Sequence, residues 1–171
     1  MKKAVLVVDM LNDFTLDDAP LKVEENKKII PNIKELIEKE RKNSTPIIYV
    51  CDSHAPDDRE FEIWPKHCVK GTKGAQIVDE LKPKESDFVI EKTTYDGFYR
   101  TNLDDLLKQL GVDYLIITGC VINICIHYTT SSAVLKGYQV EIPLNCVSAL
   151  DEESRKCAIA QFKNVLNIKL T

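Results

Sequence analysis

Apolar and polar positions along the chain fall into two alternating patterns. Short runs rich in β-branched residues, at Ala4–Val8, Pro46–Cys51, Phe88–Ile90, Val112–Thr118, Gln139–Ile142 and Ile168–Leu170, have the length and character of buried strands. Between them the apolar spacing becomes helical. Ile29, Ile33, Leu36 and Ile37 mark one helix, Leu103–Leu110 a second that Gly111 stops, and Glu152–Phe162 a last one. A short helix is also expected over Ala75–Leu81, whereas Ser53–Thr72, rich in Asp, Pro and His, reads as loop. Asn123 is the expected N-cap of a helix that starts at Cys125, runs through Ile126, Tyr128, Ala133 and Leu135, and ends at Gly137. Strands that alternate with helices imply right-handed crossovers. The predicted fold class is therefore α/β, a three-layer α/β/α arrangement with a mostly parallel sheet covered by helices on both faces. No repeat, low-complexity tract or linker divides the sequence, so residues 1–171 are expected to form one domain.

Composition narrows the partners. With 171 residues, 44% hydrophobic and 29% charged, the chain has material for a proper core. The net charge of −4 is spread along the sequence without a basic stripe, which excludes nucleic acid as a partner. No apolar run approaches a membrane span, and the Met-Lys-Lys start leads directly into the first strand, so no membrane partner and a cytoplasmic location are expected. A homo-oligomer is left open. The six cysteines contain no CxxC pair and are expected to stay reduced.

A parallel sheet binds its ligands at the carboxyl ends of its strands. Asp9, Asp52 and Lys92 all fall at predicted strand ends, and Cys125 lies just beyond the strand that Gly119 closes. A thiol at a helix start sees free N–H groups and the positive end of the dipole, both of which favour the thiolate. Asp9 can take the thiol proton, and Lys92 can hold that carboxylate and add positive potential beside the sulfur. The plainer alternative makes Cys125 a small core residue, Asp9 a turn cap and Lys92 a solvated lysine. A second set lies in CDSHAPDDREFEIWPKHC, where Asp52, His54 and His67 offer one carboxylate and two imidazoles to a single divalent ion. Zn²⁺ suits them best, with Mn²⁺ or Fe²⁺ also compatible, and Glu60 is a further ligand candidate. Histidines in polar loops are otherwise usually unligated, and His127, on the helix after Cys125, reads as structural.

Four segments, VVDMLNDF, DSH with WPKHCVKGTKGAQI, EKTTYDGF and TGCVINICI, give the chain a close resemblance to the nicotinamidase/pyrazinamidase branch of the isochorismatase-like cysteine hydrolases. It spans nearly the whole sequence, with the motifs in the family's order. The D-x-H plus WPxHC segment is the specific part, since isochorismatase members of the superfamily lack the metal site. The resemblance implies an isochorismatase-like hydrolase fold and a catalytic triad of Asp9, Lys92 and Cys125. It also implies metal ligation by Asp52, His54 and His67 with Glu60 at the position that completes the shell in some members. Phe14, Trp64 and Tyr95 match aromatic pocket positions. Backbone N–H groups of Val121 and Cys125 match the oxyanion hole, and a cis peptide is implied between Cys120 and Val121. The chain departs from many relatives at Ile122-Asn123, where they carry Thr-Asp, and around Ser131–Ser132. The expected activity is hydrolysis of nicotinamide, and of pyrazinamide with it, to the acid and ammonia through a cysteine thioester, in NAD salvage. Hydrolysis of another small amide or ureide is the alternative within enzymes, and a metal-binding or redox-sensing protein without turnover is the alternative outside them.

Overall fold

β1 (Lys3–Val8) forms the centre of the molecule, with five of its six residues buried. The structure is a computed structural model that describes all of residues 1–171. Beside β1 on one side lie β2 (Ile47–Asp52) and then β3 (Phe88–Lys92); on the other lie β4 (Tyr114–Gly119), β5 (Gln139–Ile142) and β6 (Lys169–Leu170). The sheet order is β3-β2-β1-β4-β5-β6, and every pairing is parallel. Successive residues of β1 point to opposite faces and so divide the core. Ala4, Leu6 and Val8 pack in the layer that holds Leu103 and Leu107 of α2 (Leu103–Gln109), Ile126 and Ala133 of α3 (Cys125–Leu135), and Ala158 and Phe162 of α4 (Glu152–Asn164). Val5 and Val7 face the other layer, where Ile29, Ile30, Ile33 and Ile37 of α1 (Asn26–Lys42) cover the sheet.

Two predicted elements differ from the structure. Ala75–Leu81 is not a helix but two single 3-10 turns, Lys73–Ala75 and Asp79–Leu81, joined by extended chain. Ile77 there bridges Leu11 in antiparallel fashion, and Val78 N–H donates to the Met10 carbonyl at 3.0 Å. Pairing with the segment that leaves β1 satisfies these backbone groups and outweighs a weak helical pattern. Asn123 does not cap α3. Ile124 occupies that position without a side-chain hydrogen bond, and the Asn123 Oδ1 is buried without a partner.

The chain runs outward from β1 to β3, returns to β4, and runs outward again to β6. Between β1 and β4 the connections diverge, which opens a crevice at their carboxyl ends. Gly119 makes the passage from β4 into that crevice sterically feasible. Its φ of +116° suits glycine alone, and a Cβ there would sit 2.0 Å from the Val8 carbonyl oxygen.

Candidate active site

Four strand ends deliver the polar residues of the crevice. Asp9 follows β1 with φ of 53°, a left-handed conformation that a short polar side chain tolerates. Asp52 and Lys92 are the last residues of β2 and β3, and Cys125 is the first of α3. The Lys92 ammonium lies 2.7 Å from Asp9 Oδ2 and 2.5 Å from Asp52 Oδ1, and contacts Cys125 Sγ at 3.7 Å. The Asp52 N–H donates to Asp9 Oδ1 at 2.9 Å. All four side chains are buried. The expected gathering of Asp9, Lys92 and Cys125 is therefore present, and Asp52, expected only in the metal set, joins it through Lys92.

Burial sets the protonation states. Desolvation, then the charge of Asp52, raise Asp9 to about 6 against the pull of Lys92. Asp52, although equally buried, is held below its ordinary value by Lys92 and His54. Lys92 stays charged: burial opposes its charge, but the two carboxylates outweigh it and push its pKa well up. Burial also pushes the Cys125 thiol well above its ordinary value; Lys92 pulls it down, and Asp9 and Asp52 push it further up. Desolvation beside two carboxylates thus opposes the thiolate that a helix terminus favours.

The second set is equally well built. Donor atoms of Asp52, His54, Glu60 and His67 all lie within 4.8 Å of one another. The His54 and His67 Nε2 atoms stand 3.7 and 4.0 Å from Asp52 Oδ2, and His67 Nε2 stands 3.8 Å from Glu60 Oε1. These gaps are too long for hydrogen bonds and suit donors turned toward a shared cation. Each imidazole is anchored from behind, His54 Nδ1 on Asp58 Oδ2 at 3.0 Å and His67 Nδ1 on the Pro65 carbonyl at 2.7 Å. That anchoring turns each Nε2 inward, and the buried His54 Nε2 has no hydrogen-bond partner in the chain. Burial, then Asp52, raise Glu60 to about 7, a cost that a cation at this position would offset. The donor set therefore fits a divalent metal.

A cavity of about 240 Å³ connects the two sets. Asp9, Cys125, Asp52, Glu60 and His67 line it together with the aromatic side chains of Phe14, Trp64 and Tyr95. The Trp64 indole N–H donates to the Tyr95 hydroxyl at 2.9 Å, which fixes two of these aromatic walls together. The Cys120–Val121 peptide is cis, as expected. The N–H groups of Val121 and Cys125 donate to no acceptor in the chain and are free for a ligand oxygen. His127 lies outside the site, stacked on Phe162. Sequence reasoning missed Asp58 and Pro65, the supports of the two imidazoles. The i, i+4 spacing from His54 to Asp58 was an available signal; the Pro65 carbonyl left none, because any residue could supply it.

The isochorismatase domain model matches residues 3–171. The chain belongs to the isochorismatase family of hydrolases. An uncharacterized isochorismatase family protein, YaaI of Bacillus subtilis, is 32% identical over 169 residues, covering 99% of this chain and 93% of its own length. The N-carbamoylsarcosine amidase structure from Thermoplasma acidophilum superimposes with a TM-score of 0.91 at 35% identity, covering 100% of this chain and 96% of that one. The pyrazinamidase of Pyrococcus horikoshii, solved in complex with zinc, gives a TM-score of 0.92 at 31% identity, covering 100% and 99%. The two solved structures share the fold described above.

Proposed function

We propose that this chain hydrolyses the carboxamide of a small planar ring amide, nicotinamide first and pyrazinamide with it, releasing the ring acid and ammonia in NAD salvage. The observation that carries the reading is the opening of the thiol and the cation-binding donors onto one cavity with aromatic walls. A flat ring with a ring nitrogen at one end and a carboxamide at the other spans such a cavity. Lys22 is the only cation in the lining, and Asp17 at 3.1 Å and Glu24 at 2.7 Å already neutralise it, which favours an uncharged substrate.

The mechanism uses Asp9, Lys92 and Cys125 as the triad. Asp9 accepts the Cys125 proton as sulfur attacks the carboxamide carbon, and the carbonyl π pair moves onto oxygen, where the Val121 and Cys125 N–H groups hold it. The raised basicity of Asp9 suits it to a buried, protonated thiol better than an ordinary carboxylate would be. The tetrahedral adduct collapses as Asp9 returns the proton to nitrogen, and ammonia leaves. Water then attacks the thioester, giving its proton to Asp9, and the acid departs with Cys125 reprotonated. Lys92 keeps Asp9 oriented throughout and offsets the negative charge beside the sulfur. Asp52, His54, His67 and Glu60 would hold one divalent ion, Zn²⁺ by preference, and a pyridine-type nitrogen bound there would fix the ring. Ammonia and nicotinate production by the purified protein, lost on Cys125→Ala, tests the reading; no nicotinate from the unaltered, metal-loaded protein ends it. The similarity to an N-carbamoylsarcosine amidase favours a second reading, hydrolysis of a small ureide. Ureide consumption without nicotinate production in the same assay would select it.

A further inference from the structure

The peptide that carries the Val121 N–H is gripped from both sides by one residue, Ser148. Its N–H donates to the Gly119 carbonyl at 3.1 Å, just before the Cys120–Val121 peptide, and its carbonyl accepts the Ile122 N–H at 2.8 Å, just after it. Ser148 is fully buried, and its hydroxyl donates to Asn26 Oδ1 at 2.6 Å. Asn26, the first residue of α1 and also fully buried, uses its other end on the loop that walls the cavity. Its Nδ2 donates to the Phe14 carbonyl at 2.8 Å and reaches Thr15 Oγ1 at 3.4 Å. Next to Ser148, the Ala149 N–H donates to Glu25 Oε2 at 3.0 Å, a second tie between the same two segments.

We propose that Asn26 and Ser148 are positioning residues that aim the Val121 N–H at the developing oxyanion, and that Asn26 couples this aim to the Phe14 wall of the cavity. The proposal rests on the mechanism above for the identity of the thiol and the oxyanion donors. A donor aimed at the oxygen of a tetrahedral adduct works only within a narrow range of distance and angle. The turn bearing Val121 is closed through its carbonyl, which accepts from the Ile124 and Ile126 N–H groups at 3.1 and 3.3 Å, but no bond of the turn engages the Val121 N–H itself. On the N-terminal side the Cys120 N–H donates to the Val8 carbonyl at 3.0 Å, and the bonds that bracket the peptide at Gly119 and Ile122 come from Ser148. The Asn26 amide matches the task, because it accepts from one segment and donates to the other at once. No water need intervene between two buried groups so well paired.

The test separates oxyanion binding from thiol reactivity. Benzaldehyde adds reversibly to Cys125: the S–C bond forms, the thiol proton passes to Asp9, and the carbonyl π pair becomes an alkoxide that needs the N–H donors. Iodoacetamide alkylates the same sulfur with expulsion of iodide and makes no oxyanion. Both probes are applied in a Cys157→Ser background, which removes the one exposed thiol. Ser148→Ala is expected to weaken the benzaldehyde adduct on the order of tenfold while the iodoacetamide rate stays within twofold. Asn26→Ala is expected to do the same, and because both variants cut one link, their losses should not add in the double variant. Equal benzaldehyde affinity in Ser148→Ala and the parent overturns the proposal. So does a parallel fall in both probes with a lowered melting temperature, which would make the pair merely structural. Absence of any saturable benzaldehyde adduct on Cys125 in the parent also overturns it, by removing the oxyanion site. Failure to make nicotinate, with a normal benzaldehyde adduct, would instead overturn only the choice of substrate.

Discussion

Lys92 balances the charge of the site, because a buried ammonium stands between two buried carboxylates and touches the sulfur. Removing it strands Asp9 and Asp52 together, so Lys92→Met should cost about 3–5 kcal/mol of stability, read from urea unfolding, and abolish turnover. Asp9→Asn preserves shape and leaves Lys92 paired with Asp52. It should lower the rate on the order of a hundredfold or more without a comparable loss of stability, as expected for a missing general base. Near-normal turnover in this variant would assign the proton to another group. The residue types of this cluster were legible in the sequence, because each stands where a strand ends. Their ionisation was not. A helix start favours a thiolate, and only the folded structure shows burial beside two carboxylates opposing it.

At the level of elements, the site depends on β1 and β4 passing close enough for their ends to share a crevice. Gly119 permits this, and Gly119→Ala would place a methyl 2.0 Å from the Val8 carbonyl oxygen in a conformation that alanine resists. Denaturant unfolding of that variant should show a loss of more than about 2 kcal/mol, or no folded protein at all. A variant as stable as the parent would mean that the β4 turn can relax without cost. The strands were all legible from their β-branched runs, because a strand buried on both faces leaves a continuous apolar signature. The segment around Ile77 was misread as helix. Its pairing partner, Leu11, lies far away in sequence, and no local pattern reports a long-range bridge.

For the whole molecule, the two halves of the site are joined through Asp52, which belongs to the donor set that could hold a cation and also pairs with Lys92. Stripping the protein with a chelator should abolish nicotinamide hydrolysis while Cys125 remains alkylatable, and adding back Zn²⁺, Mn²⁺ or Fe²⁺ should restore turnover. Unchanged hydrolysis by protein shown empty by elemental analysis would remove any role for the ion. Benzamide, which lacks the ring nitrogen, should be a poor substrate even for the loaded protein. Because of the shared carboxylate, Asp52→Ala should lose both ion affinity and stability, whereas His54→Ala should lose chiefly ion affinity; calorimetric metal titration and thermal melting separate the two. If both variants melt alike, the link through Lys92 carries little energy.

The sequence by itself determined the order of the six strands and four long helices and the residue types at the strand ends. From these, with the motif resemblance, came the α/β class and the list Asp9, Asp52, His54, His67, Lys92 and Cys125. Local chemistry suffices for that much, since periodicity, glycines and the last residue of each strand are properties of neighbouring positions. The tertiary structure alone decided what these residues do to one another. It set Asp52 against both Lys92 and the imidazoles, buried the thiol beside two carboxylates, turned both imidazoles inward from Asp58 and Pro65, and brought Ser148 and Asn26, distant in sequence, against the turn that carries Val121. Desolvation and long-range hydrogen bonding exist only once the chain has closed around these groups, so no local stretch of residues can encode them.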